Sequence, residues 1–274
     1  MKKVLYIHQY FKTPEEGGAL RSFYIAKGLV ERGHQVDLIT GHNEPELLVK
    51  SIEGINVHSL AVFYENKLST KSRYIAFLKF AVKAIQYSGK IVKPDIAYVT
   101  STPLTVGIIA LWLKWMKRVP YIFEVRDLWP AAPIELGFMK SGIIQQLAFW
   151  LEKTIYKNAA HLVALSPGIM EVILEKYQNA RVTVIPNMAD ISYYGEKAVF
   201  FHKHKNLVIG YFGAMGVANG LMAVTAVAEI CQQQDLPIQF ILMGEGSERE
   251  KLEQAVADKK LRNIELFPRE IKTK

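Results

Sequence analysis

The sequence predicts an α/β protein built on parallel sheets, and three observations predict it. Short Val/Ile-rich runs recur along the whole chain with helix-like stretches between most of them, the alternation expected when strands and helices take turns. Short apolar strands separated by helices imply a parallel sheet with both faces covered. At 274 residues, 50% of them hydrophobic and 22% charged, the chain is long enough for one large or two medium globular domains.

In chain order, "KVLYIHQ" reads as a buried strand, "GALRSFYIAKGLVERGH" as a helix ended by Gly33, and "QVDLIT" as the next strand. Strand-like runs return in "GINVHSL", "PDIAYVTS", "PYIFEVRD", "HLVALS" and "RVTVIPN", then in "LVIGYFG", "IQFILMG" and "NIELFP". Ser166-Pro167 is an N-cap followed by proline at the first helical position, where the missing N–H costs nothing. Pro186 closes a strand, and "ISYYGEKAVFFHKHKN" beyond it has no clear period before a new strand-turn-helix series starts at Leu207. This places a domain boundary between 186 and 206, giving a first domain at 1–186 and a second at 187–274.

The net charge of +8 is uneven. Residues 1–186 hold 23 Lys/Arg against 15 Asp/Glu, whereas 187–274 hold 11 against 11. From Asn66 to Lys93 there are seven basic residues and no acidic one. Such a patch attracts nucleic acid, anionic lipid or phosphorylated substrates. Within it, Ile75, Leu78, Val82 and Ile85 fall on one helical stripe beside Lys79, Lys83 and Lys90. That pattern fits either a core-facing helix with a solvated edge or a basic amphipathic helix lying on an anionic membrane. No nucleic-acid recognition motif accompanies the charge, so no nucleic-acid partner is expected.

Four apolar residues precede His8 at the N-terminus, too few for the core of a signal peptide, which predicts a cytoplasmic protein. The longest apolar stretch, "PLTVGIIALWL", stops at Lys114, far short of the ~20 residues of a membrane span. A lone Cys231 forms no internal disulfide, and no Cys/His cluster has metal-ligand spacing.

Three constellations carry chemistry. Gly17 and Gly18 precede Arg21 between a strand and a helix, where free backbone N–H groups and a fixed cation suit an anion; a plain tight turn with a surface arginine has the same pattern. The spacing does not fit the dinucleotide fingerprint. Arg126, Asp127 and Trp129 follow the strand "YIFEV", at the carboxyl edge where open α/β folds bind ligands, or else they form a structural pair beside a packed tryptophan. Gly213, Gly216 and Gly220 surround a strand-to-helix turn that can cradle a diphosphate, and Gly244-Glu245-Gly246 ends the next strand, with Ser247 expected to cap the helix after it.

"FKTPEEGGALRSFYIAKGLVERGHQVDLIT", "RDLWP", "VIPNMAD", "GYFGAMGVANGL" and "LMGEGSEREKLE", in this order, resemble the family 4 glycosyltransferases of GT-B fold, in the branch that serves bacterial surface polysaccharides. The resemblance implies two Rossmann-like domains and retaining transfer from a nucleotide-diphosphate sugar. It implies no metal and no cofactor, with a lipid-linked saccharide as acceptor. It makes Arg126 and Asp127 reaction-centre residues, Gly17, Gly18 and Arg21 acceptor or phosphate contacts, and Gly213, Gly216, Asn219 and Glu245 donor contacts. Together with the basic, aromatic-interleaved run, a lipid-linked acceptor leads to the expectation of a protein at the inner face of the cytoplasmic membrane, attached through 66–93.

Three departures qualify this. Val217 and Asn219 stand where many members carry Arg and Lys, Asn187-Met188 replaces an asparagine-glycine pair, and the acidic donor-holding segment expected after "NIELFPREIKTK" is absent. The second domain is therefore expected to be incomplete, the chain truncated, and transfer by it weak or absent. The alternatives are a non-catalytic membrane- and acceptor-binding module that needs a partner donor domain, a disrupted gene product, and a nucleotide-sugar 2-epimerase.

Overall fold

The structure, a computed structural model, describes residues 1–16, 20–65, 68–187 and 207–268. Gly17 and Gly18 lie outside the described residues, as does Lys67 of the basic patch. The chain divides into two compact units, Met1–Ala189 and Asp190–Lys274.

The first unit contains β1 (Lys3–Ile7), β2 (Gln35–His42), β3 (Leu48–Ile52), β4 (Ile55–Ala61), β5 (Ile96–Thr100), β6 (Tyr121–Val125), β7 (His161–Ala164) and β8 (Val182–Val184). They form one sheet in the order β3-β4-β2-β1-β5-β6-β7-β8. Every pair is parallel except β3–β4. The chain runs outward from β1 through β2 and β4, then returns to β5 on the other side of β1. That reversal opens a crevice at the carboxyl ends of β1 and β5.

Among the described residues six helices accompany the sheet: α1 (Arg21–Glu31), α2 (Thr70–Ser88), α3 (Val106–Lys117), α4 (Ala131–Glu135), α5 (Gly142–Asn158) and α6 (Pro167–Lys176). Two cores follow from the two faces. Leu5, Ile7, Phe80, Ile109, Phe123 and Ile155 belong to the core under α2, α3 and α5, while Tyr6, Phe23, Ala26 and Leu38 belong to the one under α1. Alternate residues of β1 thus enter opposite cores, which is why the strand reads as a continuous apolar run.

Three local expectations change. The strand β3 was not foreseen because Leu48–Lys50 are exposed at the antiparallel edge, but Glu53 and Gly54, with φ of +49° and +78°, form the two-residue turn that pairs it with β4. The stripe of Ile75, Leu78, Val82 and Ile85 is not the face α2 buries: Ala76, Phe77, Phe80, Ala81 and Ala84 are buried, and Ile75, Leu78 and Val82 are each more than half exposed. Small alanines let this helix approach the sheet closely. Ser166 does cap α6, its Oγ accepting from Ile169 N, whereas Ser247 caps nothing, because Glu248 occupies the N-cap of the later helix.

The second unit holds β9 (Leu207–Phe212), a 3-10 turn at Val217–Asn219, α7 (Met222–Gln233), β10 (Ile238–Met243), α8 (Arg249–Asp258) and β11 (Ile264–Phe267). Its described strands pair in parallel in the order β11-β10-β9. Met215, Ala228, Cys231, Phe240, Leu242 and Leu252 form its core.

Candidate functional site

The first site is built on residues that end strands. At the close of β6, Arg126 N donates to Ser101 Oγ (2.9 Å) and Thr102 Oγ1 donates to Asp127 Oδ2 (2.8 Å), tying the turn after β6 to the turn after β5. The Asp127 side chain is exposed, so its carboxylate stands at the carboxyl edge open to a ligand. His8, directly after β1, is 1% exposed, with Nδ1 2.8 Å from Ser22 Oγ and Nε2 3.2 Å from an Arg126 Nη1. A guanidinium only donates, so Nε2 accepts and the imidazole proton sits on Nδ1, pointing at Ser22. Burial, reinforced by the Arg126 charge, lowers the His8 pKa to about 3 and keeps the ring neutral. A neutral histidine thus orients Arg126 beside Asp127.

Arg21 reaches the same sheet but meets a different partner. Its Nε and Nη2 lie 2.9 and 2.8 Å from Glu124 Oε1, and its Nη1 and Nη2 donate to the carbonyls of Pro186 (2.7 Å) and Ile185 (2.6 Å). Glu124, one residue before the end of β6, is fully buried and also accepts from Tyr98 OH at 2.8 Å. A buried carboxylate requires such partners. Burial, with the Glu124 charge next in size, pushes the Tyr98 hydroxyl far above its ordinary range. The guanidinium expected to meet phosphate is therefore a buried clamp joining α1, β6 and the end of β8, and Arg126 is the cation that stands beside Asp127.

Sequence reasoning missed His8, Ser101, Thr102 and Glu124. A glutamate inside the apolar run "YIFEV" was a readable signal, because an acidic side chain in a doubly covered strand needs a cation. Gln9 carries a related signal: it is 2% exposed, and neither amide atom has a partner among the described residues. A cavity of about 510 Å³ lined by Lys157, His161, Lys176 and Arg181, among others, opens at the start of β7, the amino edge opposite these residues.

In the second unit the two glycine turns touch. A side chain at Gly244 would strike the Gly213 carbonyl, and one at Gly246 the backbone of Met215. Gly213 N donates to Met243 O (3.0 Å) and Met215 N to Glu245 O (2.9 Å). Asn219 Oδ1 accepts from Gly216 N at 3.3 Å, closing the 3-10 turn, and Gly220 ends it with φ +61°. Glu245 pairs with Arg249 at 3.1 Å. Gly213, Gly216, Asn219 and Glu245 are thus gathered at the carboxyl ends of β9 and β10, while Val217 is exposed and brings no charge. Among the described residues no group of three or more His, Cys, Asp or Glu could hold a metal ion, and no helix is long and apolar enough to cross a membrane.

A doubly wound first unit with polar strand ends, followed by a unit of parallel strands with paired glycine turns, defines the GT-B class. The chain belongs to the Glycosyl transferase 4-like domain family, which matches residues 16–188. It is 25% identical over 268 residues to the putative colanic acid biosynthesis glycosyl transferase WcaI of Escherichia coli (strain K12), covering 88% of this chain and 65% of that one. The chain thus spans about two thirds of that relative's length. Among solved structures, sucrose-phosphate synthase from Thermosynechococcus elongatus superposes with a TM-score of 0.70 at 16% identity, covering 98% of this chain and 71% of the other. HepE of Anabaena in complex with UDP-glucose gives 0.63 at 16% identity, covering 99% and 70%. These likenesses show the fold.

Proposed function

We propose that this chain takes part in transfer of a sugar from a nucleotide-diphosphate sugar to a lipid-linked saccharide acceptor during assembly of a bacterial surface polysaccharide, with retention at the anomeric carbon. The observation that carries the reading is Asp127, exposed at the carboxyl edge, anchored by Thr102 and placed next to an Arg126 that neutral His8 orients. The family match and the similarity to WcaI support it, and HepE, a neighbour in fold, binds UDP-glucose.

In this reading Asp127 holds the acceptor hydroxyl and Arg126 faces the diphosphate. The acceptor oxygen bonds to the anomeric carbon as the bond to the diphosphate oxygen breaks, and the hydroxyl proton passes to the departing diphosphate. Stabilisation of the leaving charge is electrostatic and is assigned to Arg126, while Gly213, Gly216, Asn219 and Glu245 are assigned to the donor. Gly17 and Gly18 are assigned to the approach of the first loop to the acceptor. The buried Gln9 amide, with two N–H donors and an acceptor oxygen and no partner among the described residues, is assigned to a sugar hydroxyl that reaches it on binding. Residues 66–93 are assigned to an anionic membrane surface at the inner face of the cytoplasmic membrane, where the acceptor resides.

The test is release of nucleoside diphosphate from a panel of nucleotide sugars with a membrane extract as acceptor. Weak acceptor-dependent release is expected, reduced about 10²- to 10³-fold in Asp127→Ala, the scale of losing one transition-state contact. Release in Asp127→Ala equal to the parent removes Asp127 from the reaction. A parent that binds the extract without release favours the non-catalytic module, which the uncharged Val217 and Asn219 would suit.

A further inference from the structure

The helix α5 is built from two unlike halves. Its second half contributes Glu152, Ile155 and Tyr156 to the interior, but its first half stands outside: Ile143 is 74%, Leu147 60% and Trp150 62% exposed, and Ile144 about half. Leu136 and Phe138, just ahead of it, are exposed as well. Single exposed apolar residues are ordinary, whereas a cluster of this size on one helical segment marks a surface that meets something.

The position of the cluster is set by the topology. Asn158 ends α5 only two residues before β7 begins at the amino edge, so the first half of the helix lies toward the carboxyl edge, the edge of Asp127 and Arg126. On the same face of the sheet, α3 packs against both α2 and α5, and α2 carries its own outward stripe of Ile75, Leu78 and Val82. The three helices contain eight Lys or Arg, among them Lys71, Lys79 and Lys153, and one acidic residue, Glu152, which is 2% exposed and faces Lys176.

That charge pattern selects the occupant. A second copy would set two cationic faces against each other, and a nucleic acid would leave Ile143, Leu147 and Trp150 against phosphates. An anionic bilayer offers headgroups for the lysines and acyl chains for the apolar side chains. We infer that the first half of α5, led by Leu147 and Trp150, inserts into the headgroup–acyl boundary of an anionic membrane next to α2. This rests on the membrane reading of residues 66–93 and adds to it the inserting element. The bilayer then meets the edge of the sheet that receives the acceptor.

The experiment uses the whole chain with phosphatidylethanolamine vesicles containing phosphatidylglycerol, and with phosphatidylcholine vesicles as the neutral control. Sedimentation with the anionic vesicles is expected, and Leu147→Glu combined with Trp150→Glu lowers the partition constant at least about tenfold, since both apolar contacts are exchanged for charges of the lipid's own sign. Both sites are exposed, and an unchanged circular dichroism spectrum checks the fold. In the parent, brominated acyl chains quench tryptophan emission, and Trp150→Phe removes the quenched component. If the parent binds and Lys71→Glu with Lys79→Glu releases it, while the α5 variant binds like the parent and quenching persists in Trp150→Phe, α5 does not insert and only the α2 reading stands. A parent that ignores anionic vesicles overturns both. A parent that dimerises in sedimentation velocity through Leu147 without binding vesicles makes this face a contact between copies and overturns the inference.

Discussion

β1 and β9 open their units with the same kind of apolar run, yet they have different fates. Leu5, Tyr6 and Ile7 of β1 are completely buried, with hydrogen-bonded neighbours on both sides and a core on each face, whereas Leu207, Val208 and Ile209 of β9 are 40 to 61% exposed, with β10 as the described neighbour. Burial of a strand is therefore set by how many neighbours and layers reach it. Two reporters separate the units in solution: all four tryptophans lie in the first, and the single cysteine, buried Cys231, lies in the second.

The strongest test of the contrast removes the Arg21–Glu124 clamp of the first unit. Arg21→Met strands the Glu124 carboxylate in the interior and should cost about 3 to 5 kcal/mol, as for other broken buried pairs. Urea unfolding followed by tryptophan fluorescence should move to much lower denaturant, while the urea dependence of Cys231 labelling stays in place. A concerted shift of both would mean that the units unfold together.

Next in size is the strand pair itself. Leu5→Ala should destabilise the first unit by about 2 to 5 kcal/mol, the range for deleting a packed leucine. Ile209→Ala, at a 43% exposed position, should stay within about 0.5 kcal/mol by Cys231 labelling. A large loss at Ile209 would show that β9 is covered in solution.

The smallest effect, counted per pH unit, is a pH dependence in the first unit. His8 titrates near its ordinary value when unfolded but at about 3 when folded, so between those limits the unfolded chain binds the extra proton. Stability should fall as pH drops through that window, by at most about 1.4 kcal/mol per pH unit. Burial raises the Glu152 pKa, which opposes this trend just above the ordinary glutamate range, since the folded state there holds the proton. Tryptophan-monitored melts of the parent and of His8→Gln should separate the histidine term, the variant losing part of the slope.

The legible part of the fold was what depends on nearest neighbours in sequence. Apolar runs bounded by Gly, Pro and helix caps marked the described strands of both sheets except β3, and Ser166-Pro167 marked its helix start. The face that α2 buries was not legible, because the helix carries two apolar stripes and only the sheet decides which one fits; its alanines won over its isoleucine and leucine. At the candidate site, the place of Arg126 and Asp127 at the carboxyl edge was legible because they follow a strand. His8, Thr102 and Glu124 were not, because their partners stand 14 to 118 residues away in sequence. The charge of Arg21 was legible but its pairing with buried Glu124 was not, since burial is a property of the folded chain.

The Arg21 clamp also has a consequence in time. Its guanidinium meets Glu124, 103 residues on, but the carbonyl oxygens of Ile185 and Pro186 complete it only after a further 61 or 62 residues. At a synthesis rate of about 5 to 20 residues per second, that is a wait of roughly 3 to 12 s during which β6 exists without the end of β8. A nascent chain paused in that interval would hold a buried carboxylate with an incomplete partner, and that is the stage at which a ribosome-bound chaperone would find the first sheet weakest.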